Sequence, residues 1–331
     1  MAGEEGLIVV TGAAGFIGRN LVAELNRRGE TRILVVDELG TDERWKNLRG
    51  LQFVDYLQSG EFREAFNADE ACPPVRTVYH LGACSSTTET DADYLIDNNF
   101  RYTQELCGFC QRTGARFVYA SSAATYGDGA QGYQDDLAHI DALQPLNMYG
   151  MSKQLFDLWA RAHGLFSSIA GLKYFNVYGP HEDHKGDMRS VIHKAYGQIR
   201  ATGKMRLFKS YKPAYADGEQ LRDFVYVKDA VDMTLYCGEH PEFSGLFNCG
   251  TGQARSWNDL AKAVFAAMNL PPNIEYIEMP ETLRSKYQYF TQADMAQARA
   301  AGYTHAFASL EDGIRDYVQA YLAPSAEGST P

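Results

Sequence analysis

The chain has 331 residues, 45% of them hydrophobic and 22% charged, which is the balance of a globular protein with room for one large domain or two intimate ones. A net charge of -11 argues against a general nucleic-acid surface, and no apolar run approaches the roughly 20 residues that span a bilayer. Six scattered cysteines do not make a disulfide scaffold, and an acidic N-terminus without a signal pattern fits a cytoplasmic protein with no membrane partner.

Leu7-Ile8-Val9-Val10 is a strand-type apolar run. Thr11-Gly12-Ala13-Ala14-Gly15-Phe16-Ile17-Gly18 follows, then an amphipathic helical pattern over about residues 19 to 28. A glycine-rich turn between a buried strand and a helix suits a pyrophosphate, because the backbone comes close and the helix N-terminus faces the anion. The spacing is Gly-x-x-Gly-x-x-Gly, and its strand-turn-helix context carries the reading. Ile33-Leu34-Val35-Val36-Asp37 is the second strand. Asp37 lies about 20 residues past the turn, where an acid bonds ribose hydroxyls. A turn residue at a strand end is its plain alternative. Glu38 joins Asp37 in favouring NAD, whereas Arg44 suits the 2′-phosphate of NADP.

Residues 75 to 80 read as another strand, with Leu81-Gly82-Ala83-Cys84-Ser85 at its carboxyl end, where ligands sit in doubly wound sheets. Asn98 and Asn99 fall in the next helical pattern. That pattern includes Cys107-x-x-Cys110, which no second Cys or His pair complements, so buried free thiols are expected rather than a metal site. Phe117-Val118-Tyr119-Ala120 is a further strand ending in Ser121 and Ser122. This alternation predicts an α/β fold, a Rossmann-type doubly wound parallel sheet with right-handed crossovers.

Tyr149 and Lys153 stand four apart and would share one face of a helix. A phenol is a poor base at neutral pH, with an ordinary pKa of about 10. A nearby ammonium favours the phenolate, so the pair can accept the proton of an alcohol. Alone this spacing usually marks a solvated helix face. Ser122, at a strand end upstream, could hold a substrate oxygen beside the phenol. Further on, residues 172 to 180 are a strand and its exit, and 181 to 187 a polar loop whose histidines and acids read as loop composition, not as metal ligands. A helix from about 191 to 203, the run Arg206-Leu207-Phe208, a surface loop at 211 to 220 and a strand from Arg222 to Val227 follow. Residues 246 to 252 read as a last sheet strand and its turn, Ser256 as a helix cap, and 324 to 331 as a small, polar, disordered tail.

Assembled, these residues resemble the extended short-chain dehydrogenase/reductases of the NAD-dependent epimerase/dehydratase family, and within it the ADP-heptose 6-epimerases. The glycine turn and Tyr149-x-x-x-Lys153 belong to the whole superfamily. Gly82-Ala83-Cys84-Ser85-Ser86-Thr87-Thr88-Glu89 and His184-Lys185-Gly186 point to the narrower group, and the likeness runs from about residue 7 to 322. A dehydratase of this family carries an Asp-Glu pair after the serine or threonine, where this chain has Ala123-Ala124-Thr125.

The resemblance implies a dinucleotide-binding domain over 1–176, completed by about 223–252 and 288–305. It implies a substrate domain from about 177–222, 253–287 and 306–322, with 323–331 a disordered tail. It implies a bound nicotinamide cofactor, NADP with NAD the alternative, an ADP-heptose substrate for lipopolysaccharide core biosynthesis, and a homo-oligomer, described as a pentamer. The implied catalytic residues are Tyr149, Lys185, Ser122 and Lys153, with Tyr149 and Lys185 as the two bases of a transient oxidation at C6″. Lys185 would otherwise be a loop partner for a phosphate or carboxylate. The implied cofactor contacts are Gly12, Gly15, Phe16, Ile17, Gly18, Asp37, Glu38, Arg44, Leu81, Gly82, Ala83, Cys84, Ser85, Asn98, Lys153, Val177 and Lys185. The implied substrate contacts are Ser85, Ser86, Ser122, Asn176, Asp187, Lys194, Phe208, Arg222 and Tyr287. Leu81, Glu38, Arg44, Lys194 and Lys286 depart from the family pattern. A catalytically silent, cofactor-binding sensor is the alternative from another class.

Overall fold

Seven parallel strands form the central sheet of the computed structural model, which describes residues 6–67, 73–284 and 287–327. The chain begins β1 (Leu7–Thr11), α1 (Phe16–Arg27), β2 (Ile33–Val36), β3 (Asp55–Leu57), α2 (Ser59–Asn67) and β4 (Val75–His80). A short α3 (Ala92–Leu95) runs through a π-helical stretch, Ile96–Arg101, into α4 (Tyr102–Thr113). Then come β5 (Arg116–Ser122), α5 (Met148–Ala162), β6 (Ile169–Tyr174), β7 (Asn176–Tyr178), α6 (Val191–Thr202), β8 (Met205–Phe208) and β9 (Leu221–Tyr226). The remainder is α7 (Val227–Glu239), β10 (Gly245–Cys249), β11 (Ala254–Ser256), α8 (Trp257–Ala267), β12 (Ile274–Ile277), α9 (Glu281–Arg284), α10 (Ala296–Ala300), α11 (Leu310–Tyr317) and α12 (Ala323–Glu327).

The central order is β10-β6-β5-β4-β1-β2-β3. Its middle strands are covered on both faces, and Val9, Val10, Val78, Phe117, Val118 and Leu172 have no exposed surface. Parallel strands buried on both faces need such continuous apolar runs, and each side chain so buried contributes about 1.5–3 kcal/mol. Strand order reverses between β1 and β4, which pair Thr11 with His80. At such a reversal the two connections leave in opposite directions and open a crevice at the carboxyl ends. Outside this sheet, β7 pairs parallel and β11 antiparallel with β9, and β12 pairs parallel with β8.

Several local expectations shift. The first helix begins at Phe16, three residues before the expected start, because Gly15 already serves as its N-cap. The fourth-strand run extends through Ser122, so the serines lie inside β5. Residues 222 to 226 form a strand, but it pairs outside the central sheet. The disordered tail expected from residue 323 is helical through Glu327. From Leu310 the helix runs on through the π-helical Val318–Leu322 into α12, and buried Val318 and Leu322 anchor it past the point where composition turns polar. Residues 328–331, like Cys72 and Lys286, lie outside the described residues.

Candidate active site

The crevice is built first from close backbone contacts. Gly12 has a φ of 68°, and a Cβ there would come within 2.7 Å of the Gly82 nitrogen. A Cβ on Gly18 would come within 2.0 Å of the Gly12 carbonyl. The first turn of α1, the end of β1 and the loop after β4 thus meet at distances only glycine allows. Thr11 secures the join, with its Oγ1 accepting from the Gly82 amide at 3.0 Å and paired with His80 Nδ1 at 2.7 Å. Leu81 donates its amide to the Thr11 carbonyl at 3.2 Å.

Asp37 sits just past β2 and is buried. Its Oδ2 accepts from the Ala14 amide and its Oδ1 from the Glu38 amide, both at 2.7 Å. Burial nevertheless holds its carboxyl above the usual range. Glu38 is exposed, and its Oε1 accepts from the Ser59 amide at 3.0 Å. The Arg44 guanidinium donates to the Glu38 carbonyl at 3.1 Å and lies 3.6 Å from an Asp37 carboxylate oxygen.

Tyr149 and Lys153 lie one turn apart on α5, whose N-cap Asn147 accepts from the Gly150 amide at 2.8 Å. Tyr149 is half-buried, and its phenol is in hydrogen-bonding contact with Ser122. Ser122 Oγ also accepts from the Ala124 amide at 3.1 Å, capping the turn Ala123–Tyr126. Burial pushes the Tyr149 phenol above its ordinary value, with Ser122 opposing. The expected lowering by Lys153 does not dominate, because desolvation of the phenol is the larger effect. Lys153 is 4% exposed, and burial brings its ammonium down to about 8, with Asp157 and Cys84 opposing.

The loop after β4 is tied to this helix through a residue the sequence passed over as a contact. Asn99 is the buried residue of the π-helical stretch. It accepts from the Cys84 amide at 2.9 Å, donates to the Cys84 carbonyl at 2.9 Å and donates to Ser152 Oγ at 3.0 Å. Asn98 donates to Asn99 at 3.0 Å. A polar residue at a buried helical phase was the available signal.

Lys185 stands beside the start of α1. It lies on the 3₁₀ segment Asp183–Met188, with its Nζ 5.1 Å from the centre of the Phe16 ring. Burial lowers its ammonium pKa, Glu182 opposes this and Lys194 adds to it. Its loop is fastened to the glycine turn by Asn47, whose Nδ2 donates to the Ala14 carbonyl at 2.8 Å and meets His184 Nδ1 at 3.1 Å. Asn20 adds a 3.0 Å bond to the Pro180 carbonyl.

Of the expected substrate contacts, Arg222, Phe208 and Tyr287 come together. The Arg222 guanidinium lies 5.4 Å from the Tyr287 ring and 5.7 Å from that of Trp257, and the Tyr287 and Phe208 rings are 6.4 Å apart. Lys194 donates to the Asp187 carbonyl at 2.6 Å. Asn176 is exposed on β7 beside half-buried Val177, Ser85 is exposed, and Ser86 pairs with Thr88 within its own turn. Cys107 and Cys110 are buried free thiols, and no metal-binding cluster occurs among the described residues.

These features fit a nicotinamide dinucleotide. The glycine turn leaves the first amides of α1 without a capping side chain, and Asp37 is bonded to that turn through the Ala14 amide. The comparisons agree. Residues 8–250 match the NAD dependent epimerase/dehydratase family. An ADP-L-glycero-D-manno-heptose-6-epimerase of Nitratidesulfovibrio vulgaris is 56% identical over 317 residues, covering 96% of this chain and 98% of its own. The crystal structure of the Helicobacter pylori ADP-L-glycero-D-manno-heptose-6-epimerase is similar with a TM-score of 0.78 and 26% identity, over 95% of this chain and 96% of that one. MoeE5, solved in complex with UDP-glucuronic acid and NAD, is similar with a TM-score of 0.74 and 27% identity, over 97% and 100%. The chain belongs to the NAD-dependent epimerase/dehydratase family. No helix among the described residues is long and apolar enough to cross a membrane.

Proposed function

We propose that this chain inverts C6″ of ADP-D-glycero-D-manno-heptose to give the L-glycero epimer, by transient oxidation at that carbon. The observation that supports this reading is that Tyr149 and Lys185, each able to serve as a base, are both shielded from water and held by different elements. Tyr149 stands with Ser122 at the end of β5, and Lys185 stands over Phe16 at the start of α1. An epimerase that presents its substrate carbon from both faces needs a proton acceptor and donor for each.

A nicotinamide dinucleotide, when bound, would supply the oxidation of C6″ and the reduction of the resulting ketone. Gly12, Gly15, Phe16, Ile17 and Gly18 would hold its pyrophosphate, and Asp37, Glu38 and Arg44 its adenosine end. The loop from Leu81 to Ser85, with Asn98 and Val177, would border the rest, and Lys153 would hold the nicotinamide ribose. Ser122 orients the substrate oxygen. Tyr149 takes the hydroxyl proton from one epimer and Lys185 serves the other. Asn176, Asp187, Lys194, Phe208, Arg222, Tyr287, Ser85 and Ser86 would hold the nucleotide sugar. In this division the substrate part is about 177–222, 253–287 and 306–322, set against a dinucleotide part of 1–176 completed by about 223–252 and 288–305.

Within the family we choose NADP over NAD. Asp37 and Glu38 are each engaged by backbone amides, while the Arg44 guanidinium stands beside them as a cation for a 2′-phosphate. The proposal extends to a cytoplasmic homo-oligomer, a pentamer, which sedimentation and cell fractionation test.

Incubation with ADP-D-glycero-D-manno-heptose, followed through the C6″ proton resonances, is expected to give both epimers at equilibrium. The starting epimer alone would overturn the reading. Mass spectrometry of nucleotide released on denaturation is expected to show NADP, and NAD alone would reverse the cofactor choice.

A further inference from the structure

Behind Lys153 and Ser122 lies a buried ion pair that the reaction as described does not use. Asp157 and Lys173 are both wholly inaccessible, with Lys173 Nζ 2.7 Å from Asp157 Oδ2. Asp157 stands on α5 one turn past Lys153 and two turns past Tyr149, on the same face. Lys173 stands next to last in β6, the one charge in that strand.

The pair is saturated by hydroxyls. Tyr119 donates to Asp157 Oδ1 at 2.8 Å and Ser121 to Oδ2 at 2.8 Å. Lys173 donates to Thr125 Oγ1 at 2.7 Å, and Thr125 Oγ1 donates in turn to the Ser122 carbonyl at 2.8 Å. Lys173 Nζ also lies 5.1 Å from the Tyr126 ring centre. The result is one dry chain of contacts from the helix of Lys153 to the turn of Ser122. It crosses three elements: α5, β6 and the end of β5.

A buried ion pair is a weak device for stability, because desolvation offsets the attraction and apolar residues of equal volume do as well. What such a pair does well is hold groups in fixed relative positions in a low-dielectric interior. We propose that Asp157 and Lys173 are positioning residues for the reaction, with Asp157 the buried anion one turn behind Lys153 and Lys173, through Thr125, fixing Ser122 against Tyr149. The proposal rests on the reading of Tyr149, Lys153 and Ser122 given above.

The groups that face Lys153 are few. On its own helix they are Tyr149 and Asp157. From the loop after β4 comes Cys84, and from the end of β4 comes His80, whose ring burial holds neutral down to about 3. Among the described residues Asp157 is therefore the one carboxylate opposing the loss of charge on Lys153.

The central test is the double variant Asp157→Asn/Lys173→Met, which removes both charges and leaves no buried ion alone. In protein labelled at lysine Cε, with Lys153→Met to assign the resonance, the Lys153 titration is expected to move down by about one pH unit, a tenfold change in its acidity. The kcat should fall about 10–10²-fold with KM nearly unchanged, as expected for misplaced reacting groups. A folded double variant whose Lys153 titrates as in wild type overturns the Asp157 role. If the double variant does not fold, Asp157→Asn alone carries the same titration test. Thr125→Val removes the link to Ser122 without a charge change. It should lower kcat several-fold while the Lys153 titration stays put, and an unchanged kcat overturns the Lys173 role. Full activity in Tyr149→Phe would instead overturn the reading of the site, and the titration would still judge Asp157.

Discussion

At the residue scale, the proposed reacting groups are shifted by burial more than by pairing. Tyr149 is pushed up from an ordinary value of about 10 and Lys153 down to about 8, so the ammonium becomes the easier of the two to deprotonate. Lys185 is lowered for the same reason, which leaves its amine easier to deprotonate than an exposed lysine. Tyr149→Phe and Lys185→Met should therefore each lower kcat by about 10²–10⁴-fold with bound cofactor retained. Lys153→Met should lower kcat and cofactor occupancy together, since Lys153 would both tune the phenol and hold the ribose. Steady-state kinetics beside the absorbance of co-purified nicotinamide separates the three. A fully active Lys185→Met would remove Lys185 from the chemistry and leave Tyr149 as the base on both faces.

At the element scale, the segment from Pro180 to Ser190 is the least regular part of the site, and a buried carboxylate holds it in place. Glu182 has no exposed surface; it accepts from the Ser190 amide and Ser190 Oγ, both at 2.5 Å, and from the Tyr317 hydroxyl at 3.0 Å. These bonds fix the loop to α6 and α11. Glu182→Ala leaves buried donors unpaired, at a cost of about 1–3 kcal/mol each. It should lower the urea midpoint and, by loosening Lys185, lower kcat; unchanged kcat in the destabilised variant would show that Lys185 does not depend on this anchor. The elements most legible in the sequence were those with a single dominant signal. The glycine turn, the apolar runs of β1, β2 and β4, and the Ser256 cap all declare themselves locally, and Ser256 with Asp259 forms a full capping box. Elements whose reason for existing is tertiary did not. β3 is three residues long and pairs with β2, α2 packs Phe66 against Tyr102 and Phe109 of α4, and neither has a periodic run long enough to read. The same holds within the site. Tyr149, Lys153 and Ser122 follow from motif spacing, whereas Asn47 and Asn99 work through bonds to residues 33 and 15 positions away. Asp157 was marked only by its phase on α5, and Lys173 only by being the one charge in its strand.

At the scale of the whole molecule, several buried groups link stability to pH. His80 bridges Thr11 Oγ1 and Thr103 Oγ1, at 2.7 and 2.9 Å, and burial holds its ring neutral down to about 3. His181 and His184 are lowered to about 4 by burial, with Arg19 and Arg44 respectively adding to the effect. In the unfolded chain each ring takes up a proton near pH 6.5. Between the folded and unfolded values the unfolded state binds more protons. The stability each neutral ring contributes is therefore complete above about 6.5 and declines as pH falls toward 3 or 4. Asp135 works in the other direction. Burial raises its carboxyl to about 6, so from about 4 to 6 the folded state holds the extra proton and acid favours folding. Burial raises Asp37, Asp223 and Asp229 as well, so these carboxyls offset part of what the three rings lose on acidification, and the rings act alone only at the upper end of the range. His80 is the fully buried member, and by itself it should contribute about 2 kcal/mol of loss between pH 6.5 and 5, at about 1.4 kcal/mol per unit. Urea unfolding at pH 7.5, 6.5, 5.5 and 5 measures the slope directly. His80→Asn cannot take up that proton, and a side-chain amide can still pair with at least one of the two threonines. Its stability at pH 7.5 should be lower than that of wild type, because one hydroxyl loses its partner. Its slope below pH 6.5 should be visibly shallower, so the two curves converge toward acid. Parallel curves would mean that His80 is not the group that takes up the proton on unfolding, and would shift the acid sensitivity onto His181 and His184 in the loop that carries Lys185.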